Sequence, residues 1–164
     1  MQRAVVRISM KVLIIAAALC GLALSILGAV GAHLMAGPTV EEAFQSVEKI
    51  LQSGRWYRLD TLAWNSAMLF GFAHTLAALL STALPVHRGT AGAAGWAFIA
   101  GTVLFSFSIM AKEILLSRFV PAESQDGAIG LYNSITTVTP IGGIAFMAGW
   151  ILLAAAALLK RREG

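Results

Sequence analysis

The side chains in this 164-residue sequence that could do chemistry are few: three histidines, one cysteine, and scattered Ser, Thr and Asn within apolar surroundings. His74 is the foremost. It lies near the middle of a 23-residue run without a formal charge, a position where an ionisable group points to function. A neutral imidazole there can ligate haem or a metal, relay a proton, or be held by hydrogen bonds between helices. Axial ligation calls for a second strong ligand, and His33 lies about 15 Å away along the membrane normal at roughly 1.5 Å per residue. Thr102 falls at a depth similar to that of His74 and is the expected hydrogen-bond partner. The residues favour the structural role for His74. His33 and Asn65 sit two or three residues inside the same boundary on successive runs and are expected to pair. With Ser106 and Ser108 they could form a substrate or quinone site, although packing accounts for them equally well. His87 falls in a turn and reads as solvated. Cys20, the single cysteine, excludes an internal disulfide and a multi-cysteine metal site. No phosphate-binding glycine loop, nucleophile motif or metal-ligand spacing occurs. The chain is therefore expected to be non-catalytic, with no metal and no cofactor.

Four apolar runs must position these residues. Val12–Met35, Leu62–Leu84, Ala91–Ala111 and Thr137–Leu159 are 21 to 24 residues long and contain no Asp, Glu, Lys or Arg. A hydrocarbon core about 30 Å thick needs roughly 20 helical residues. With 58% hydrophobic and 12% charged residues, against about 25% charged in soluble domains, residues 1–164 read as one four-span membrane domain. The fold class expected is an all-α membrane protein, with four transmembrane helices in an antiparallel bundle. Arg3, Arg7 and Lys11 precede the first run as in a signal peptide, but the run exceeds the 7–15 residues of a signal core, so it reads as an uncleaved span.

Charge sets the expected topology. One face of the membrane collects seven basic residues and one acidic, including Arg88 and Lys160-Arg161-Arg162; the other collects five basic and seven acidic. Basic residues beside helix ends favour the cytoplasm, which places both termini inside a bacterial inner (plasma) membrane. The net charge of +4 thus reflects topology and not nucleic-acid binding. Pro85–Gly89 forms a short inner turn. Between the first two spans, Val40, Phe44, Val47 and Leu51 recur at helical spacing after a capping box at Thr39–Glu42, which predicts a short amphipathic helix. Beyond the third span, Lys112–Leu116 extends the helix, Pro121 stops it, and residues 122–133 read as a loop. The two outer segments, Pro38–Arg58 and Lys112–Asn133, are expected to face a partner or the lipid surface.

Helices approach closely in lipid through small residues. Ala17, Gly21, Ser25 and Ala29 recur at i+4, as do Ala67, Gly71 and Thr75, then Ala93, Ala97 and Gly101, and finally Ala145 and Gly149. Thr139-Pro140-Ile141-Gly142-Gly143 opens the fourth run, with Pro140 suited to a first helical turn and Gly142 and Gly143 able to admit another backbone. Trp56, Trp64, Trp96 and Trp150 read as interfacial anchors.

Leu27–His33, His74–Leu80, Leu104-Phe105-Ser106 with Ser108, and Thr139–Gly143 through Gly149-Trp150 occur in the order of a known family. The chain resembles the small bacterial inner-membrane proteins of domain-of-unknown-function family 423, related to the animal transmembrane protein 256 group. Phe70-Gly71 stands where that family tends to have Tyr-Gln, Phe107 where it tends to have Gly, and both outer connections are longer. The resemblance implies a four-helix inner-membrane protein without established chemistry.

Three functional readings follow from the sequence. The leading one is an accessory or assembly subunit of a larger membrane complex, in contact with the lipid bilayer and a membrane-protein partner. A small channel or transporter acting as an oligomer is the second, and a haem- or quinone-binding redox protein centred on His74 the third.

Overall fold

The computed structural model describes residues 2–35, 61–118 and 125–159. The described chain is helical, without a strand: α1 (Gln2–Met35), α2 (Thr61–Ala83), α3 (Arg88–Gly101), α4 (Ser108–Arg118) and α5 (Gln125–Leu158). A π-helical segment, Thr102–Phe107, joins α3 to α4. Four stretches are long and apolar enough to cross a membrane: Met10–Gly31, Leu62–Ala83, Arg88–Ile114 and Thr137–Leu158. Hydrocarbon offers no partner to a backbone N–H or C=O, so the helix, which satisfies both internally, is the economical way across. The third span is a composite of α3, the π segment and the start of α4.

The expected loop at 122–133 is helical from Gln125 onward, and α5 runs unbroken through Pro140. Extending an existing helix needs no new nucleus, so a polar, glycine-containing stretch can continue a span outward. Pro140 is consequently an interior residue, not a first-turn one. It brings no N–H to the ladder, a loss that membrane helices tolerate where neighbours compensate. One turn away from the helix start, α4 carries Lys112 Nζ 3.0 Å from Glu113 Oε1 and continues to Arg118, as expected. The amphipathic segment containing Phe44, and Trp56 after it, lie outside the described residues.

The third span packs against each of the others, while the second and fourth make little direct helix-to-helix contact. The turn between α2 and α3 is short, and His87 caps α3: Thr90 N–H donates to His87 Nδ1 at 3.4 Å, and the Thr90 hydroxyl lies 2.9 Å from the same atom. His87 is half-buried, not the free loop residue expected. Its backbone N–H donates to the Ala156 carbonyl at 3.1 Å, which ties the turn to the far end of α5. Met10 packs toward Gly92 and Trp64 against Gly31, so successive spans alternate in direction.

Two buried clusters fill the interior. Near the α2–α3 turn, Leu13, Ala17, Ala78, Ala94, Phe98 and Phe146 pack together; toward the other end Leu24, Trp64, Ala67 and Met110 do so. Ala67, Gly71 and Thr75 are all buried, in keeping with their stripe. On α1 the buried positions among the described side chains are Leu13, Ala17, Cys20, Leu24 and Gly31, whereas Ser25 and Ala29 are exposed; on α3 Ala93 is exposed and Ala94 buried. A pure i+4 repeat rotates about 40° per step around the helix, so three steps leave the contact face. Trp64 is 2% exposed and belongs to the core, not to an interfacial belt.

Candidate functional site around His74

His74 is buried on α2, facing α3 and α5. Its Nδ1 lies 2.8 Å from the Phe70 carbonyl one turn back, and Trp150 Nε1 donates to its Nε2 at 3.1 Å. An indole N–H only donates, so Nε2 must accept, and the ring proton sits on Nδ1, where it donates to Phe70. The imidazole is thereby neutral and locked in one tautomer. Its face stacks on Phe146 at a centroid distance of 3.7 Å and 16°. Phe70 and Phe98 stand 5.9 and 5.6 Å away.

The surrounding rings come from the second, third and fourth spans. Phe105 in the π segment lies 5.4 Å from Phe70 and 5.7 Å from Phe146, and Trp150 meets Phe98 edge-on at 5.0 Å. Each such pair is worth about 0.5–1.5 kcal/mol beyond simple burial. Because the backbones of the second and fourth spans make little direct contact, these side chains are what bridges them. Along the outside of the bridge, Ala73, Leu76, Leu80, Ala83 and Trp150 line an apolar groove of about 530 Å³.

Glycines set the spacing. A Cβ on Gly149 would sit 2.5 Å from Phe98 Cε1, and one on Gly101 would overlap Phe146. At Gly142 the obstacle is backbone: an added carbon would meet Phe105 N and come within 2.8 Å of Leu104 C, both in the π segment. Gly143 has nothing within 4 Å. Of the two glycines expected to admit a neighbouring backbone, Gly142 does so and Gly143 does not. Beside them Ser108 Oγ and Thr139 Oγ1 are 2.9 Å apart, a polar side-chain link between the third and fourth spans.

The remaining sequence candidates fall elsewhere. Thr102 is fully buried, but its hydroxyl donates to the Phe98 carbonyl at 3.0 Å, and Trp150 is the group that answers His74 across the helices. Asn65 is exposed on α2; His33 lies on α1, with its side chain outside the described residues. Ser108 is committed to Thr139 and to the carbonyls of Leu104 and Phe105. Pro140 is exposed. Trp150 was the residue missed, although a signal existed: it lies 13 residues into a 22-residue span, at mid-depth like His74, and one turn from Phe146. Among the described residues no three His, Cys, Asp or Glu side chains gather as metal ligands. With both ring nitrogens engaged, His74 offers a lone pair only if the Trp150 bond opens.

Comparison with known proteins agrees with this architecture. Residues 27–143 match the family described as Protein of unknown function (DUF423). The UPF0382 membrane protein YwdK of Bacillus subtilis (strain 168) is 28% identical over 152 residues, covering 91% of this chain and 98% of the relative. The UPF0382 membrane proteins SH2409 of Staphylococcus haemolyticus (strain JCSC1435) and SAB0533 of Staphylococcus aureus (strain bovine RF122 / ET3-1) are 29% and 30% identical over 148 residues. Each alignment covers 88% of this chain and 93% of the relative. No solved structure matches the chain. The family match takes in the end of the first span, the whole of the second and third, and Gly142, so this four-span membrane protein belongs to the DUF423 family.

Proposed function

We propose that this protein is a non-catalytic component of a bacterial inner membrane, acting as an accessory or assembly subunit of a larger membrane complex, with both termini in the cytoplasm. The observation that carries the non-catalytic reading is the state of His74. This histidine, near the middle of the second span, has each nitrogen hydrogen-bonded and its face stacked on Phe146, an arrangement suited to joining helices. The accessory reading draws on the outer surface. The first and fourth spans turn Ile15, Leu19, Leu22, Ile144, Met147 and Ile151 outward, apolar faces that lipid or the span of another protein would cover. The excess of basic residues on one side supports the orientation.

Copurification tests the role. Gentle detergent extraction followed by native-gel mass spectrometry is expected to recover the chain with a second membrane protein; a persistent monomer with nothing co-migrating would remove the proposal. A fluorescent protein fused at Gly164 is expected to mature, as it does only in the cytoplasm; a dark but fully expressed fusion would reverse the topology.

A further inference from the structure

Two buried hydroxyls stand apart from the rest. Thr75 on α2 is 3% exposed and Ser106 in the π segment 0% exposed, and neither side-chain oxygen has a hydrogen-bond partner. This is not the habit of the helices around them. Ser81, Thr82, Thr102, Ser108 and Thr139 each donate to a carbonyl one turn back, the usual way a hydroxyl is satisfied in a bilayer. A buried hydroxyl without a partner forfeits its hydration and gains nothing in exchange.

Both lie at one junction. Ser106 Oγ is 3.1 Å from the point where a Cβ on Gly71 would stand, and Leu24 of α1 reaches the same point at 2.8 Å. Thr75 is one turn further along α2, roughly 6 Å, and its methyl group is 3.9 Å from the point where a Cβ on Gly21 of α1 would stand. Glycine at 71 lets Ser106 Oγ and the Leu24 side chain come close to the α2 backbone, where α1, α2 and the π segment meet. The π segment itself displaces Ser106 from ordinary α-helical register, a distortion found frequently at functional sites. Sites lined by polar atoms hold water, whereas cavities that stay dry are apolar. Hydrogen bonds to a hydroxyl run at about 2.8 Å each, so one or two waters span such a gap.

We propose that Thr75 and Ser106 form an internal water site at the junction of the first three spans, and that bound water is the missing hydrogen-bond partner of both hydroxyls. The site is distinct from the His74 cluster, which faces the fourth span. It does not depend on the accessory role.

The sign of a stability change tests this, because removing an unpartnered buried hydroxyl stabilises a protein and removing one that holds a water does the opposite. In full-length protein in detergent, Thr75→Val and Ser106→Ala are each expected to lower the melting temperature by about 2–4 °C. The double variant is expected to fall no further than the worse single one, since both break one bridge. A rise for either variant, or fully additive falls, overturns the proposal. Water-to-amide cross-relaxation in deuterated, nitrogen-15-labelled protein in nanodiscs gives a direct reading. Long-lived water is expected at the amides of Thr75 and Ser106 in the unaltered chain and in Thr75→Ser, and to be gone from the double variant. Absence of that signal from the unaltered chain also overturns the proposal.

Discussion

At the scale of residues, His74 shows how a group with chemical potential becomes a joint. Its two nitrogens face a carbonyl and an indole, and one proton placed on Nδ1 satisfies both. Trp150→Phe keeps an aromatic ring but deletes the donor and leaves Nε2 unpaired in an apolar setting. Unfolding in detergent is expected to show a loss of about 1–2 kcal/mol, since interhelical polar contacts in membranes average about 0.6 and reach about 1.7. His74→Ala removes the ring that stacks on Phe146 as well, and a loss of about 2–4 kcal/mol is expected. The double variant should cost less than the sum, and strict additivity would deny the pairing. The adjacent glycines give a sharper contrast. Gly142→Ala drives a methyl group into the backbone of the π segment and is expected to cost about 2–3 kcal/mol or to prevent folding. Gly143→Ala enters open space and is expected to be neutral or slightly stabilising, by up to about 1 kcal/mol from helix propensity. Paired melting curves decide whether one glycine or both are needed.

At the scale of elements, the π segment governs how the third span meets the fourth. It sets the rotation of α4, which in turn brings Ser108 to Thr139. Deleting Val103, which faces outward, removes one residue from the segment and should let it relax into an α-helix. A π turn holds about one residue more than an α turn, so five α-helical residues turn about as far as the six of the segment, and everything beyond keeps its facing. The expected result is a smaller fall in melting temperature than deletion of the exposed Ala100 from the regular helix α3 produces, because only that deletion turns the rest of the span by about 100°; an equal fall would mean that the π segment does not absorb a residue. This element was not legible in the sequence, since a shift of backbone hydrogen bonds alters no hydropathy pattern. The four spans were legible because a bilayer imposes a length and an exclusion of charge. The outward extension of α5 through 125–133 was not, because a polar helix stacked on an apolar one looks like a loop until the absence of a nucleation cost is considered. Of the site, His74 stood out by its depth, and Trp150 would have stood out by the same count. Which face of α1 packs could not be read from spacing alone, since small residues occur all round that helix.

At the scale of the molecule, burial divides the tryptophans. Trp64 is enclosed against Gly31, Trp96 is 38% exposed and Trp150 is 50% exposed at mid-depth. In single-tryptophan variants reconstituted with brominated lipids, Trp64 is expected to resist quenching. Trp150 should be quenched most by bromines placed deep in the acyl chains, and a maximum near the headgroups would make it an interfacial anchor after all. The bond from His87 N–H to the Ala156 carbonyl bears on the order in which the molecule can be completed. During synthesis the first three spans leave the ribosome while Ala156 is still unmade, and they can already bury Leu13, Ala17, Ala78 and Ala94 among themselves. His74, Phe98 and the turn at His87 must wait with one side uncovered. The last span to arrive closes all three at once, so a chain that stalls before Trp150 would present to the insertion machinery an unfinished aromatic seam in place of a smooth apolar wall.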